Sequence, residues 1–237
     1  MNLSIGILII GSLYWDTRGG RDRWRESRLQ MDRDFLVKAP IRYGRRSTTG
    51  TYTMVFGSVP TLGQARVVPC KKSMNAIKDL IEEGEWLWAA ERREVPRGEQ
   101  QLDHKLSATW GCVALLISPN ANMHRSWRDC WAKRVSAERN ETVVGRHLVD
   151  GRGLLQVSWP ELAQSGDSAP LDLLLATTNS PTLTNDSYPS AHEIADAWNR
   201  DVRGGAEYFR ENRRSGIYTF EDESIAGRLR PETRPRF

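Results

Sequence analysis

Two groups of residues in this chain are suited to chemistry. The first is Gly11-Ser12-Leu13, where the apolar run Ile5–Ile10 breaks and leads into Tyr14-Trp15. A buried strand that ends on Gly-Ser makes a tight turn at a sheet edge. Glycine lets a ligand approach the backbone closely, and successive N–H groups can point at an anion. The plain alternative is a first core strand followed by an ordinary turn. The second group is the stretch Glu82–Glu94 (EEGEWLWAAERRE), which sets several acids beside Trp86 and Trp88. On a continuous helix Trp88 and Glu91 are three apart and share a face. A carboxylate held against an indole loses hydration, gains proton affinity and becomes a better general base near neutrality. The alternative is a solvated acidic face paired with Arg92 and Arg93, the reading preferred for Glu82, Glu83, Glu85 and Glu94.

Other constellations are missing. The chain has no GxSxG elbow, no GxxxxGK[ST] loop, no GxGxxG after the first strand and no HExxH pair. His104, His124, His147 and His192 are not at metal-ligand spacing, and nothing in the sequence brings one of them to Ser12. His192 falls in an expected first helical turn, which suits a surface or capping role. Cys70, Cys112 and Cys130 form no CxxC pair. They support neither a disulfide framework nor a metal site, and read as buried thiols.

The elements that must position these residues can be read along the chain. Strands are expected at 3–10, 51–58, 65–69, 110–117 and 171–178, with strand-like alternation over 35–43 around Ala39-Pro40. A polar loop or short helix is expected over 20–33. A helix is expected from an N-cap at Ser73, carrying Met74, Ile77, Ile81 and Trp88, and another over 124–140 with Trp127 and Trp131 on one face. Ser190 and Glu193 have the capping-box spacing, so a helix should start near 191 and turn Ile194, Ala197 and Trp198 inward. A helix end is expected at Gly216, feeding an extended segment to Phe220, and the basic tail from Arg228 reads as irregular. Strands scattered among helices without regular alternation argue for an α+β fold with a partly closed, mixed sheet.

At 237 residues, 39% hydrophobic and 27% charged, the chain reads as a globular protein of one domain, or one with a large elaboration. The Ile5–Ile10 run is too short to span a bilayer, so no membrane partner and a cytoplasmic location are expected. The net charge is +4, and 28 of the 34 basic residues are arginine. That bias suits an anionic substrate or nucleic acid, and equally a GC-rich coding sequence. Arg18, Arg21, Arg23, Arg25 and Arg28 are interleaved with Asp22, Glu26, Asp32 and Asp34, a pattern typical of a solvated helix face or an ion-pair network.

The turn IGSLYWD, the stretch Pro40–Phe56 (PIRYGRRSTTGTYTMVF) and Leu87–Glu94 (LWAAERRE) occur in the order of their counterparts in the gamma-glutamylcyclotransferase-like family. The chain resembles a divergent, enlarged member of that family over residues 1–95. It departs from the family pattern at Ile10, where a tyrosine precedes Gly-Ser-Leu in the family, and has Tyr14 after the motif. The resemblance implies a partly closed mixed β-barrel flanked by helices over residues 1–118. A C-terminal, mainly helical extension over 119–237 would pack on it.

It also implies a reaction, the cyclisation of a γ-glutamyl amine or peptide to 5-oxoproline with release of the amine. No cofactor and no metal are implied, because the nucleophile is the substrate's own α-amine. By the same resemblance, Glu91 is the general base, and the Gly11, Ser12 and Leu13 amides, with Tyr14 beside them, hold the glutamyl group. Arg45 or Arg46 of YGRRS would clamp an α-carboxylate bidentately, with a surface role as the alternative for both. The expected partner is a small anionic molecule. Two other classes stay open. One is a non-catalytic binding or interaction protein on the same scaffold. The other is a nucleic-acid surface built from the nine tryptophans and the arginines, against which the core-like tryptophan positions and the modest charge argue. Oligomeric state is not specified.

Overall fold

In the computed structural model, which describes residues 2–97, 102–136, 148–163, 170–201 and 205–230, the apolar opening is strand β1 (Ile5–Ile9), buried along its whole length. Further strands lie at Phe35–Ala39 (β2), Ile41–Arg46 (β3), Tyr52–Phe56 (β4), Gly63–Pro69 (β5), Ser107–Ala108 (β6), Gly111–Ile117 (β7) and Leu173–Asn179 (β8). Helices lie at Arg21–Arg28 (α1), Ile77–Arg92 (α2), Arg125–Ser136 (α3), Ala191–Arg200 (α4), Gly205–Arg214 (α5) and Asp222–Ala226 (α6).

A strand buried on both faces needs a partner on each edge. β1 pairs antiparallel with β5 and parallel with β8, within a mixed six-stranded sheet of order β2-β5-β1-β8-β7-β6. The β3–β4 hairpin forms a second, two-stranded sheet that lies against β5 and β8. The fold is therefore α+β with a mixed sheet. Among the described residues the pairings leave β2 and β6 as edges and close no barrel.

Three local differences from the sequence reading have physical causes. The alternation over 35–43 is two strands in two sheets. β2 pairs with β5 as far as Ala39 opposite Gly63, and the next residue but one, Ile41, already pairs with Phe56. Pro40 lacks the N–H that would continue the first ladder, so the chain changes sheet there. Helix α2 starts on Ala76 and not on Ser73. Asp79 reaches back and accepts the N–H groups of Asn75 (3.1 Å) and Ala76 (2.8 Å), while Met74 is engaged in an antiparallel bridge to Leu3. Finally, β8 runs between β1 and β7, so the boundary expected at residue 118 passes through the middle of the sheet. The apolar Leu173–Ala176 run is fully buried, and the second half of the chain supplies this inner strand as well as α3 to α6.

Other features follow the sequence. Ser190 Oγ accepts the Glu193 N–H, the Glu193 carboxylate accepts the Ser190 N–H, and Ile194 and Trp198 face the core. Gly216 ends α5 with φ +72°, the left-handed conformation that glycine takes without strain. Trp24, Trp88, Trp131 and Trp198 are fully buried; truncating one such side chain to alanine costs about 3–5 kcal/mol. Cys70 and Cys112 are buried, whereas Cys130 is exposed on α3, unlike the buried thiol expected. Glu83 and Glu85 are buried rather than solvated, paired with Arg28 at 2.5 Å and with Arg134 at 3.3 Å. No helix among the described residues is long and apolar enough to cross a membrane.

Candidate functional site

The parallel pair β1 and β8 delivers its C-terminal ends to the same side of the sheet. There the chain leaves β1 in a turn closed by Tyr14 N–H to Gly11 O (3.1 Å) and Asp16 N–H to Ser12 O (2.8 Å). Glycine at position 11 leaves room for α5: a Cβ there would stand 2.4 Å from the Tyr208 hydroxyl, which would have to shift. Helix α2 crosses β7 and β8 and brings Glu91, in its last turn, to the same place. The result is a cavity of about 300 Å³ lined by the Gly11–Leu13 turn, Glu91, Arg45, Thr177, Asn179, Trp110 and Tyr208. That volume suits a small molecule. Larger cavities lie elsewhere. One of about 490 Å³ is walled largely by apolar side chains such as Phe35, Trp159 and Leu171. A second, about 570 Å³, runs along α3; a third, about 450 Å³, lies between the β3–β4 hairpin tip and the end of α4, where Gly50, Arg46, Arg200 and Asp201 meet; a fourth, about 320 Å³, lies beside the end of β7. None of them is lined by the Gly11–Leu13 turn or by Glu91.

Five of the seven residues expected from sequence, Gly11, Ser12, Leu13, Arg45 and Glu91, thus share one cavity, and two lie outside it. Tyr14 points away, donating its hydroxyl to Asp34 (2.9 Å) beneath the Arg66 guanidinium, 4.7 Å from the ring. Arg46 is an exposed hairpin residue whose N–H donates to Thr182 Oγ1. The N–H groups of Gly11, Ser12 and Leu13 donate to no acceptor among the described residues. A buried N–H without a partner is costly, so a turn of three such groups lining a cavity suits a ligand that accepts hydrogen bonds.

Glu91 is held by neutral donors. Thr177 Oγ1–H donates to Oε2 at 3.3 Å, and Asn179 Nδ2 reaches Oε1 at 3.5 Å. Among the described residues no cation forms a salt bridge with it, because the flanking arginines are engaged elsewhere: Arg92 with Glu94 and Asp103, Arg93 with Asp16 at 2.9 Å. The paired surface face considered for Glu91 is therefore not what forms. Trp88 and Glu91 lie three apart on α2, as expected. Trp88 is wholly buried and stacks on Trp110, with ring centroids 4.9 Å apart, and Trp110 lines the cavity. Arg45 lies over the Trp110 ring, 4.5 Å from its centroid, with no carboxylate partner among the described residues.

A buried guanidinium ties the turn to the helix end. Arg21 of α1 donates Nε–H to Ala90 O (2.8 Å) and Nη2–H to Glu91 O (3.0 Å). Its Nη1 donates to Ser12 Oγ (3.0 Å) and Asp16 Oδ2 (2.9 Å). Burial lowers the Arg21 pKa, opposed by the negative charges of Glu91 and Asp16. Asp16 is itself buried, which by itself raises its pKa. The hydrogen bonds from Arg18 and the charges of Arg21 and Arg93 outweigh that and hold the carboxyl below its ordinary value.

Sequence reasoning missed Asp16, Arg21, Thr177, Asn179, Trp110 and Tyr208. Two signals were present. Arg21, Trp24, Arg25 and Arg28 repeat at helical spacing, and both Arg21 and Arg25 are buried with Trp24 rather than forming a solvated face. Thr177 and Asn179 alternate on one face of β8. Nothing local pointed to Tyr208. Among the described residues no three His, Cys, Asp or Glu side chains gather as a metal-binding group. What the cavity offers is a row of amide donors, one carboxylate that forms no salt bridge among the described residues, and one cation over an aromatic ring. Compared with family models, with curated proteins and with solved structures, the chain returns no significant match.

Proposed function

We propose that this protein is a gamma-glutamylcyclotransferase-like enzyme that converts a γ-glutamyl amine or peptide to 5-oxoproline and the free amine. The observation that carries this reading is the meeting of the Gly11-Ser12-Leu13 turn, Glu91 and Arg45 in one small cavity, although they come from widely separated segments. On this reading the six-stranded sheet and the β3–β4 hairpin are a divergent, partly closed barrel, flanked by helices and extended by the C-terminal stretch.

Glu91 takes a proton from the substrate's α-ammonium, and the freed amine attacks the γ-carbonyl carbon. The new C–N bond closes a five-membered ring as the carbonyl pair moves onto oxygen, where the Gly11–Leu13 amides receive it. When the pair returns, the bond to the leaving amine breaks and the proton on Glu91 passes to that amine. The ring nitrogen gives its surplus proton to the freed Glu91 carboxylate, which hands it to the departing amine, so that a neutral lactam and an ammonium are released. Arg45, steadied on Trp110, holds the α-carboxylate and so curls the chain toward attack. Such orientation contributes up to about 7–11 kcal/mol in intramolecular reactions, and a general base about 10²–10⁴-fold in rate. The nucleophile belongs to the substrate, so the scheme uses no cofactor or metal. We assign the protein to the cytoplasm, acting on small anionic molecules rather than on membranes or nucleic acid. Mass spectrometry of incubations with γ-glutamyl amino acids, γ-glutamyl amines and glutathione tests this: 5-oxoproline should accumulate. Ligand binding without that product would identify a non-catalytic binding protein instead.

A further inference from the structure

Helix α5 reaches the cavity through contacts with the stretch that follows β1. The Tyr208 hydroxyl occupies the space above Gly11, 2.4 Å from the point a Cβ would take. The Trp15 ring meets the Tyr208 ring edge-on, with centroids 6.1 Å apart, and Trp15 Nε1–H donates to Asn212 Oδ1 at 2.7 Å. Residues 208 and 212 are four apart and share a helix face, so one face of α5 is clipped onto the turn. The hydroxyl accepts the Met54 N–H at 3.2 Å. The Asn212 side chain bonds it too, in the sense that favours the phenolate and so as a donor; a phenol that only accepts keeps its own proton to donate. Burial pushes the phenol up to about 12, so it is neutral and able to donate at ordinary pH.

We propose that Tyr208 completes this cavity as a substrate-contacting donor, its hydroxyl bonding the oxygen of the carbonyl seated on the Gly11–Leu13 turn. The identity of that carbonyl rests on the cyclotransferase reading. In that reaction the Tyr208 O–H bond is not broken. As the amine attacks, the carbonyl pair moves onto oxygen and the phenol's hydrogen bond strengthens. The pair then returns, the bond to the leaving amine breaks, that amine takes the proton held by Glu91, and the ring nitrogen's surplus proton follows through Glu91 to the same amine. The C-terminal stretch thereby contributes a side chain to the chemistry as well as a strand to the sheet.

Tyr208→Phe keeps the ring against Trp15 and removes the hydroxyl. Steady-state 5-oxoproline formation is compared with wild type at a temperature where melting curves show both folded. A kcat lower by about 10²-fold with KM little changed is expected of a donor to developing negative charge; an unchanged kcat overturns the assignment. Trp15→Phe loses the bond to Asn212 but keeps the hydroxyl. A kcat as low there as in Tyr208→Phe also overturns it, since packing would then explain both. If wild type forms no 5-oxoproline, the cyclotransferase reading fails separately, and calorimetric binding of 5-oxoproline and L-glutamate decides the donor role. Binding about tenfold weaker in Tyr208→Phe upholds it; equal binding, or none to wild type, overturns it.

Discussion

Replacing Arg21 with methionine keeps a buried stem and removes the guanidinium that bonds both the turn after β1 and the last carbonyls of α2, leaving the Arg93–Asp16 pair as the remaining link of this kind. The Glu91 carbonyl then has no donor among the described residues, because Arg21 is the group that bonds it; Ala90 O keeps the Arg93 N–H at 3.2 Å. An orphaned buried acceptor costs about 1–3 kcal/mol. Asp16 loses its most buried cation but retains Arg18 and Arg93, so the charge contribution stays below the about 3–5 kcal/mol of a fully broken buried pair. Part is offset because a charged group no longer has to be desolvated. The net expectation is a loss of about 3 kcal/mol, equivalent to roughly 6–12 °C in melting temperature for a chain of this size. Urea unfolding of both proteins at pH 7 measures it. The Asp16 carboxyl has a lower pKa folded than unfolded, so its stabilisation is complete above its unfolded value, about 4, and is lost as pH falls through the folded value. Arg21→Met should therefore also lose less stability than wild type on acidification. A loss below about 1 kcal/mol would refute the claim that this guanidinium holds the site together.

Other consequences follow from the same structure. Gly11→Ala drives a methyl group into the Tyr208 hydroxyl and should cost about 1–3 kcal/mol in urea unfolding, the usual range for overpacking; an unchanged midpoint would mean that Tyr208 does not sit there. Arg45→Met, which removes a cation without a carboxylate partner among the described residues, should raise KM for γ-glutamyl substrates by about tenfold or more with a smaller change in kcat. The reverse split would remove Arg45 from substrate binding. Burial raises the Asp222 pKa from 3.8 to about 6, so its ionisation opposes folding. The cost is absent below pH 3.8, grows through that window and reaches at most about 3 kcal/mol above pH 6. Asp222→Asn keeps an oxygen for the Thr219 N–H and hydroxyl. It should be the more stable protein at pH 8, with a flatter profile between pH 4 and 7. A variant less stable than wild type at pH 8 contradicts the sign.

The legible parts of this molecule are those governed by neighbouring residues. The end of β1 at Gly11, the cap at Ser190 and the helix stop at Gly216 each follow from one or two side chains and the backbone they permit. Long-range facts were closed to the sequence for a physical reason. A mixed-sign run shows that ion pairs will form but not which charges are drawn inside, and Arg21 and Asp16 are buried because each neutralises the other beneath the turn. An apolar run such as Leu173–Ala176 requires burial without naming its neighbours, so the insertion of β8 between β1 and β7 was not readable. The cavity was half visible. Gly11-Ser12-Leu13 and Glu91 announce themselves by residue type and Arg45, as one of two candidates, only through the family resemblance, while Thr177, Asn179 and Tyr208 arrive from elements whose packing decides where they point.

The central claim is that Glu91 serves as the base for ring closure of a γ-glutamyl group. Its most direct test is mass-spectrometric measurement of 5-oxoproline from wild type and Glu91→Gln over the same substrate panel. The account predicts product from wild type, and a rate at least about 10²-fold lower from a Glu91→Gln protein that is still folded. Turnover by Glu91→Gln at the wild-type rate, or no 5-oxoproline from wild type with any substrate, would contradict it.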